Sequence, residues 1–240
     1  MYNTRKKSRK NHRVTKRKFI THLKSLYPSC KFDKNINYNI YNNHKITYGE
    51  MEYEGMEELY NYIKKKYNSY LDTFIDVGSG RGKLCMFMAA QKNIDKSVGI
   101  ELVKERYEDA LLLQKELIEY QDTGKTTQRT HRELCRGGSG GEKIDYAKKV
   151  TLINQNILDI DFENYISPDS NVFVWFSNLC FEQNTTNEIF QKINEELPNN
   201  SIVCCSKMPN PTVGFFLNKI QIPMSWSKNS EVYIYKTEHC

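Results

Sequence analysis

Apolar and polar positions alternate in three distinct rhythms along this chain, and each rhythm predicts an element. Residues 51–69 place Met56, Leu59, Tyr60 and Ile63 at helical spacing, with acids early and lysines late, as a helix dipole favours. "DTFIDV" (72–77) is a short continuous apolar run, the signature of a buried strand, and "GKLCMFMAAQK" follows as a helix with an apolar face. "KSVGIEL" reads as the next strand and "KERYEDALLLQKELIEY" as an amphipathic helix. "KVTLINQNILDI" holds a third strand, "NVFVWFSN" a fourth, "NEIFQKINEELPNN" a helix closed by Pro198, and "SIVCCSK" a fifth strand. "SEVYIYKT" alternates like a terminal strand facing two environments. Strands alternating with helices predict an α/β fold with a doubly wound, mostly parallel sheet.

The rhythm fails in two places. Residues 19–47 are rich in Asn, Tyr and Lys without clear periodicity and read as a lead-in region. Residues 121–149 contain Gly137–Gly141, "GGSGG", a flexible-linker composition that suits a natural insertion and a laboratory loop replacement alike; no function is drawn from it. The catalytic domain is expected over 48–240.

Charge changes the picture at the N-terminus. Residues 1–32 carry eleven Lys or Arg and no acid, which leaves 24 basic against 29 acidic residues in the remainder. Residues 1–18 are expected to be a disordered basic arm, with Arg5, Lys6, Lys7, Arg9, Lys10, Arg13, Lys16, Arg17 and Lys18 available to a polyphosphate such as DNA. A plain solvated tail or a nuclear-targeting signal is the competing reading. No apolar run is long enough to span a membrane, and no apolar segment follows the basic start as a secretory signal requires. Of the seven cysteines, Cys85, Cys180, Cys204 and Cys205 lie in apolar runs and are expected as buried free thiols, with no metal site. Adjacent Cys204 and Cys205 would point to opposite faces of a strand.

The candidate chemistry sits in "FIDVGSGRGK" (74–83). Gly78, Gly80 and Gly82 fall where the first strand passes into its helix, and bare backbone there lets a ligand touch main-chain N–H groups. Asp76 at the strand end would repel a phosphate and favour an amino group, so a cationic, phosphate-free nucleoside such as S-adenosylmethionine fits better than a dinucleotide. Glu101, closing the second strand, can accept from both hydroxyls of a ribose. The competing reading is an ordinary strand–turn–helix with structural glycines.

The ordered set "TYGEMEYEGMEELYNYI", "DVGSGRGK", "VGIE", "FSNLCF", "IVCCSK" and "SWSKNSEVYIY" resembles the catalytic domain of the disruptor-of-telomeric-silencing family, the non-SET histone lysine N-methyltransferases, from about Tyr48 to Thr237. The resemblance implies a class I methyltransferase that uses S-adenosylmethionine, yields S-adenosylhomocysteine, and acts on a core-surface lysine of nucleosomal histone H-three. It implies that Tyr48, Gly49 and Glu50 fold over the cofactor's methionine end, that Asp76, Gly78 and Gly80 contact its amino-acid portion, and that Glu101 holds the ribose. Asn156 stands where the family has an aspartate facing adenine, Ile157 where it has an aromatic, and Lys83 where it has a glutamine. Ser177 and Asn178 stand where it has paired asparagines beside the reactive methyl. Phe181, Trp226 and Tyr233 match the aromatic channel that admits the lysine; core packing is the competing reading for Trp226 and Tyr233. Ser206 and Lys207 read as a strand end capping neighbouring carbonyls. The expected partner is the nucleosome, the arm holding its DNA; the expected location is the nucleus, or the host nucleus or viral factory if the source is a virus; the expected state is a monomer. A nucleic-acid methyltransferase and a catalytically weak chromatin-binding module are the alternatives; the absence of prolines in "SNLCF" counts against an adenine amino-methylase.

Overall fold

The computed structural model describes residues 14–27, 49–67, 70–124, 145–209 and 214–239. Its centre is β1 (Thr73–Val77), buried at every position and flanked on both sides by parallel neighbours. β2 (Lys96–Glu101) and then β3 (Val150–Asn154) lie to one side, β4 (Val172–Phe176) and β5 (Ile202–Cys205) to the other. β6 (Phe215–Met224) and β7 (Ser227–Lys236) form an antiparallel hairpin that adds β7 against β5, giving a seven-stranded sheet of order β3-β2-β1-β4-β5-β7-β6. The chain leaves β1 toward β2 and later returns to its other side with β4. That reversal opens a crevice at the carboxyl ends of β1 and β4, the place where sheets of this kind receive ligands.

Among the described residues the α-helices are α1 (Lys16–Leu26), α2 (Tyr53–Tyr67), α3 (Lys83–Ala89), α4 (Lys104–Thr123) and α5 (Gln183–Glu196). α2 follows the expected pattern, with Glu54 in its first turn, Lys64, Lys65 and Lys66 in its last, and the apolar stripe buried. α4 ends on Gly124, whose φ of 67° supplies the left-handed cap.

The two faces of the sheet build separate cores. Phe74, Phe173, Trp175, Cys204 and Ile234 point to one, beneath α1, α2 and α3; Ile75, Val77, Val174, Val203 and Cys205 point to the other, against α5. Cys204 and Cys205 thus face opposite ways, as alternation requires. Among the described residues Cys85, Cys180, Cys204 and Cys205 are free thiols, but Cys180 is only half-buried.

Three expectations need correction. α1 begins at Lys16, inside the segment expected to be disordered, and runs through residues read as lacking periodicity. Thr15 accepts from the Lys18 N–H as its N-cap, and Phe19, His22 and Leu23 bury one face. The stripe is two turns long and sits among lysines, so it was hidden by charge. α3 is buried all round rather than on one face, because α1 covers its outer side. β6 was not expected at all: "FFLNKIQIPM" is an edge strand with most positions at least partly exposed, so it carries no clean alternation. The residues from Arg5 to Arg13, Tyr48 and Gly137–Gly141 lie outside the described residues. The arm's remaining cations, Lys16, Arg17 and Lys18, are exposed, and the Lys16 ammonium donates to Gln91 Oε1 at 2.6 Å. Lys16 thus also links α1 to the end of α3.

Candidate functional site

The turn after β1 is shaped by three glycines in the left-handed region, Gly78 at φ 78°, Gly80 at 54° and Gly82 at 73°. A side chain is strained there, which is why the sequence spends glycines on this turn. At Gly78 a Cβ would meet nothing within 4 Å. The bare backbone faces open space in the crevice.

Two carboxylates flank it. Glu101, at the end of β2, is buried; its Oε2 accepts from the Gly80 N–H and its Oε1 from the Val103 N–H, each at 2.7 Å. These bonds fix the carboxylate's plane at the edge of the crevice. Asp76 is 3% exposed. Burial, then the negative charges of Glu101 and Glu50, push its carboxyl up to about 8, against a weak opposing bond donated by the Cys85 thiol at 3.7 Å. A cation entering beside Asp76 would restore its ionised form.

The crevice is a cleft at the strand ends, open at its mouth. It brings together Gly49, Glu50, Asp76, Gly78, Gly80, Lys83, Glu101, Asn156, Ile157, Ser177 and Phe181, eleven of the residues singled out in the sequence. The Asn156 Oδ1 already accepts from the Leu158 N–H at 3.1 Å, capping a short 3-10 turn. An adenine amino group would need its second lone pair. Ile157 offers an aliphatic wall in place of a stacked ring.

Residues 49–51 form a strap over this crevice. The Glu50 N–H donates to Ser225 Oγ at 3.1 Å, the Ser225 N–H donates to the Glu50 carbonyl at 2.9 Å, and Met51 bridges Met224. Gly49 lies flat under the Trp226 ring, where a Cβ would come within 2.5 Å of Cζ3. The Glu50 carboxylate pairs with the Lys83 ammonium at 2.5 Å, both side chains being less than a tenth exposed.

Two expectations for the catalytic end are corrected by geometry. Asn178 does not reach the crevice. It is wholly buried, its Nδ2 donating to the Lys207 carbonyl and its Oδ1 accepting from the Ser206 and Lys207 N–H groups. With both ends of the amide spent on backbone, it ties the end of β4 to the end of β5, and of the expected pair only Ser177 faces the crevice. Trp226 and Tyr233 do not line the crevice either; they line a second cavity beside it with Leu179, Ser206, Lys207 and Glu231. The 177–181 loop divides the two, with Ser177 and Phe181 on one side and Leu179 on the other. Tyr233 donates to Glu231 Oε2 at 2.7 Å, and Lys207 caps the Phe181 carbonyl at 2.8 Å as its sequence position suggested.

Sequence reasoning missed Arg106, Gln155 and Glu182, which also line the crevice. Arg106 lies on the first turn of α4, just past Glu101, and is buried. Its position one turn after a strand-end acid was the available signal.

This sheet order, with a glycine turn after β1 and an acid closing β2, defines a class I methyltransferase fold. The structure of yhhF of Escherichia coli, assigned as a methyltransferase, superimposes with a TM-score of 0.50 at 13% identity over 77% of this chain and 86% of that one. An RNA methyltransferase from Salinibacter ruber in complex with S-adenosylhomocysteine gives a TM-score of 0.49 at 13% identity over 77% and 92%. The family described as histone methylation protein DOT1 matches residues 30–132. That span takes in the strap, the glycine turn, Asp76 and Glu101, and it bears out the family resemblance read from the sequence. No curated protein sequence matches the chain.

Proposed function

We propose that the chain is an S-adenosylmethionine-dependent protein lysine N-methyltransferase that acts on a core-surface lysine of histone H-three in the nucleosome, with the basic arm on the DNA. One observation carries the reading: two buried carboxylates stand on either side of a bare glycine turn, inside the stretch matched by the histone methylation family. Glu101 is preset for a ribose, and Asp76 is preset for an ammonium. Gly78 leaves the room that an amino-acid moiety needs. S-adenosylmethionine presents all three groups and, when bound, supplies an electrophilic methyl on a sulfonium.

The chain's own residues then have two tasks. The crevice must hold the methyl toward the 177–181 loop, and the second cavity must deliver an amine to the same loop in line with it. The amine has to arrive neutral, although free lysine has a pKa near 10.4. Trp226 and Tyr233 on the second cavity, and Phe181 on the crevice side of the loop, offer ring surface along that approach. The proton leaves to solvent before the final approach. Ser177 orients the amine from the crevice side, while Asn178 keeps the loop's spine fixed from behind.

The test is methyl transfer from labelled S-adenosylmethionine to nucleosomes, free histones, DNA and RNA in parallel, with the modified residue mapped. Label on a histone H-three lysine, greatest with intact nucleosomes, is expected. Label confined to DNA or RNA overturns the protein substrate and keeps the methyltransferase. On this reading the protein works in a nucleus, or in the host nucleus or viral factory if its source is a virus.

A further inference from the structure

The strap at Gly49–Met51 lines the crevice and packs on Trp226, a wall of the second cavity. On the crevice side its only charged group, Glu50, is bound by Lys83, whose ammonium also lies 5.1 Å from the Tyr53 ring centroid. On the other side its backbone is joined to Ser225 by a reciprocal pair of hydrogen bonds, Met51 is bridged to Met224, and Gly49 is pressed under Trp226. Trp226 is a wall of the second cavity, and Lys83 and Glu50 are walls of the crevice. The connection is short and stiff: ammonium, carboxylate, two peptide units, indole. A buried ion pair is also a poor choice for stability alone, since desolvation of both charges offsets most of their attraction.

We propose that Lys83 is a positioning residue that couples the two cavities, its ion pair with Glu50 setting the strap and, through Ser225, the placement of Trp226. A ligand in the crevice meets the pair and is registered at the second cavity through that ring. The inference rests on the reading of the crevice as the cofactor site and of the second cavity as the acceptor site. In chemical terms Lys83 makes the acceptor wall depend on the occupant of the crevice.

The chain has two tryptophans, Trp175 and Trp226, so 5-fluorotryptophan labelling gives two fluorine resonances, assigned with Trp226→Phe. S-adenosylhomocysteine is added to saturation while calorimetry follows its binding. In the unaltered protein the Trp226 line is expected to shift on binding. In Lys83→Met, at ligand concentrations raised until binding saturates, the Trp226 line is already displaced before any ligand is added and responds far less afterwards. Glu50→Gln, which removes the other half of the ion pair, is expected to displace the line and blunt its response in the same way. A Trp226 line and response unchanged in Lys83→Met overturns the coupling. So does a Trp226 response in Glu50→Gln that matches the unaltered protein. Absence of binding heat in the unaltered protein removes the cofactor site itself, a separate result.

Discussion

Gly80 and Glu101, in different strand–turn units, are joined by a 2.7 Å hydrogen bond from the Gly80 N–H to the Glu101 carboxylate. The glycine turn and the acid that closes β2 are thus one structure. The turn is held open by the same carboxylate that would face a ribose, so its shape and its ligand chemistry cannot be varied separately. Glu101→Gln places an amide NH2 against one of the two backbone donors, Gly80 or Val103. S-adenosylhomocysteine affinity by calorimetry should fall about 100-fold and stability by about 1–3 kcal/mol, the usual cost of an unsatisfied buried group.

Asp76 predicts a pH dependence with a definite sign. Its carboxyl is raised to about 8 chiefly by burial, whereas the unfolded chain releases that proton near 3.8. Below the lower value its contribution to stability is fully present, and it is lost as the pH rises through about 8. A cationic ligand favours the ionised form, so binding of S-adenosylmethionine releases a proton and tightens as the pH rises toward 8. Asp76→Asn should flatten both profiles, leaving the ligand-free protein more stable at pH 8 and the affinity weak at every pH. Melting temperatures and binding isotherms from pH 6 to 9 check this.

Gly78→Ala separates ligand approach from folding. The added methyl meets no protein atom within 4 Å, so the cost to the fold is the left-handed backbone alone, about 1–2 kcal/mol. The methyl does occupy the space open to a ligand. Binding is expected to fall by more than the stability loss accounts for, measured by calorimetry alongside denaturant melts.

Asn178→Ala removes three hydrogen bonds from a fully buried amide and leaves their backbone partners unpaired. Stability should drop by about 2–4 kcal/mol, larger than any effect on nucleoside binding per folded molecule. Ser177→Ala should do the reverse, lowering the methyl-transfer rate with little change in melting. Equal stability losses in the two variants would contradict the division of labour.

Deletion of residues 1–13 tests the basic arm while leaving α1 and its Thr15 cap intact. Nucleosome binding should weaken, and the slope of log affinity against log salt should flatten in proportion to the number of phosphates that the arm neutralises. Unchanged binding at physiological salt would remove DNA from the proposed role of the arm.

Much of the fold was legible because buried parallel strands announce themselves: "VFVWF" is apolar throughout, and "TFIDV" is buried at every position. β6 was illegible for the opposite reason, since an exposed edge strand need not alternate. α1 was masked by the charge of its own solvent side, and only the burial of Phe19, His22 and Leu23 shows which face it uses. At the site, Asp76, Gly78, Gly80 and Glu101 could be read from chain position because a β-strand end fixes where they point. Asn178 could not. Whether an asparagine one residue past Ser177 faces the crevice or turns into the protein depends on which backbone groups it meets, and these come from residues 206 and 207. Trp226 and Tyr233 were legible as aromatic walls but not as walls of a separate cavity, because the partition is made by the distant 177–181 loop.

The bridge between Met51 and Met224 links a residue lying ahead of the first strand to one in the last hairpin. The lid over the crevice is therefore fastened at both extremes of the sheet's construction. The domain cannot shed its C-terminal ribbon and keep a working nucleoside site. Partial unfolding from that edge would empty the pocket before the parallel centre had melted, so loss of ligand should run ahead of loss of helical signal during gentle denaturation.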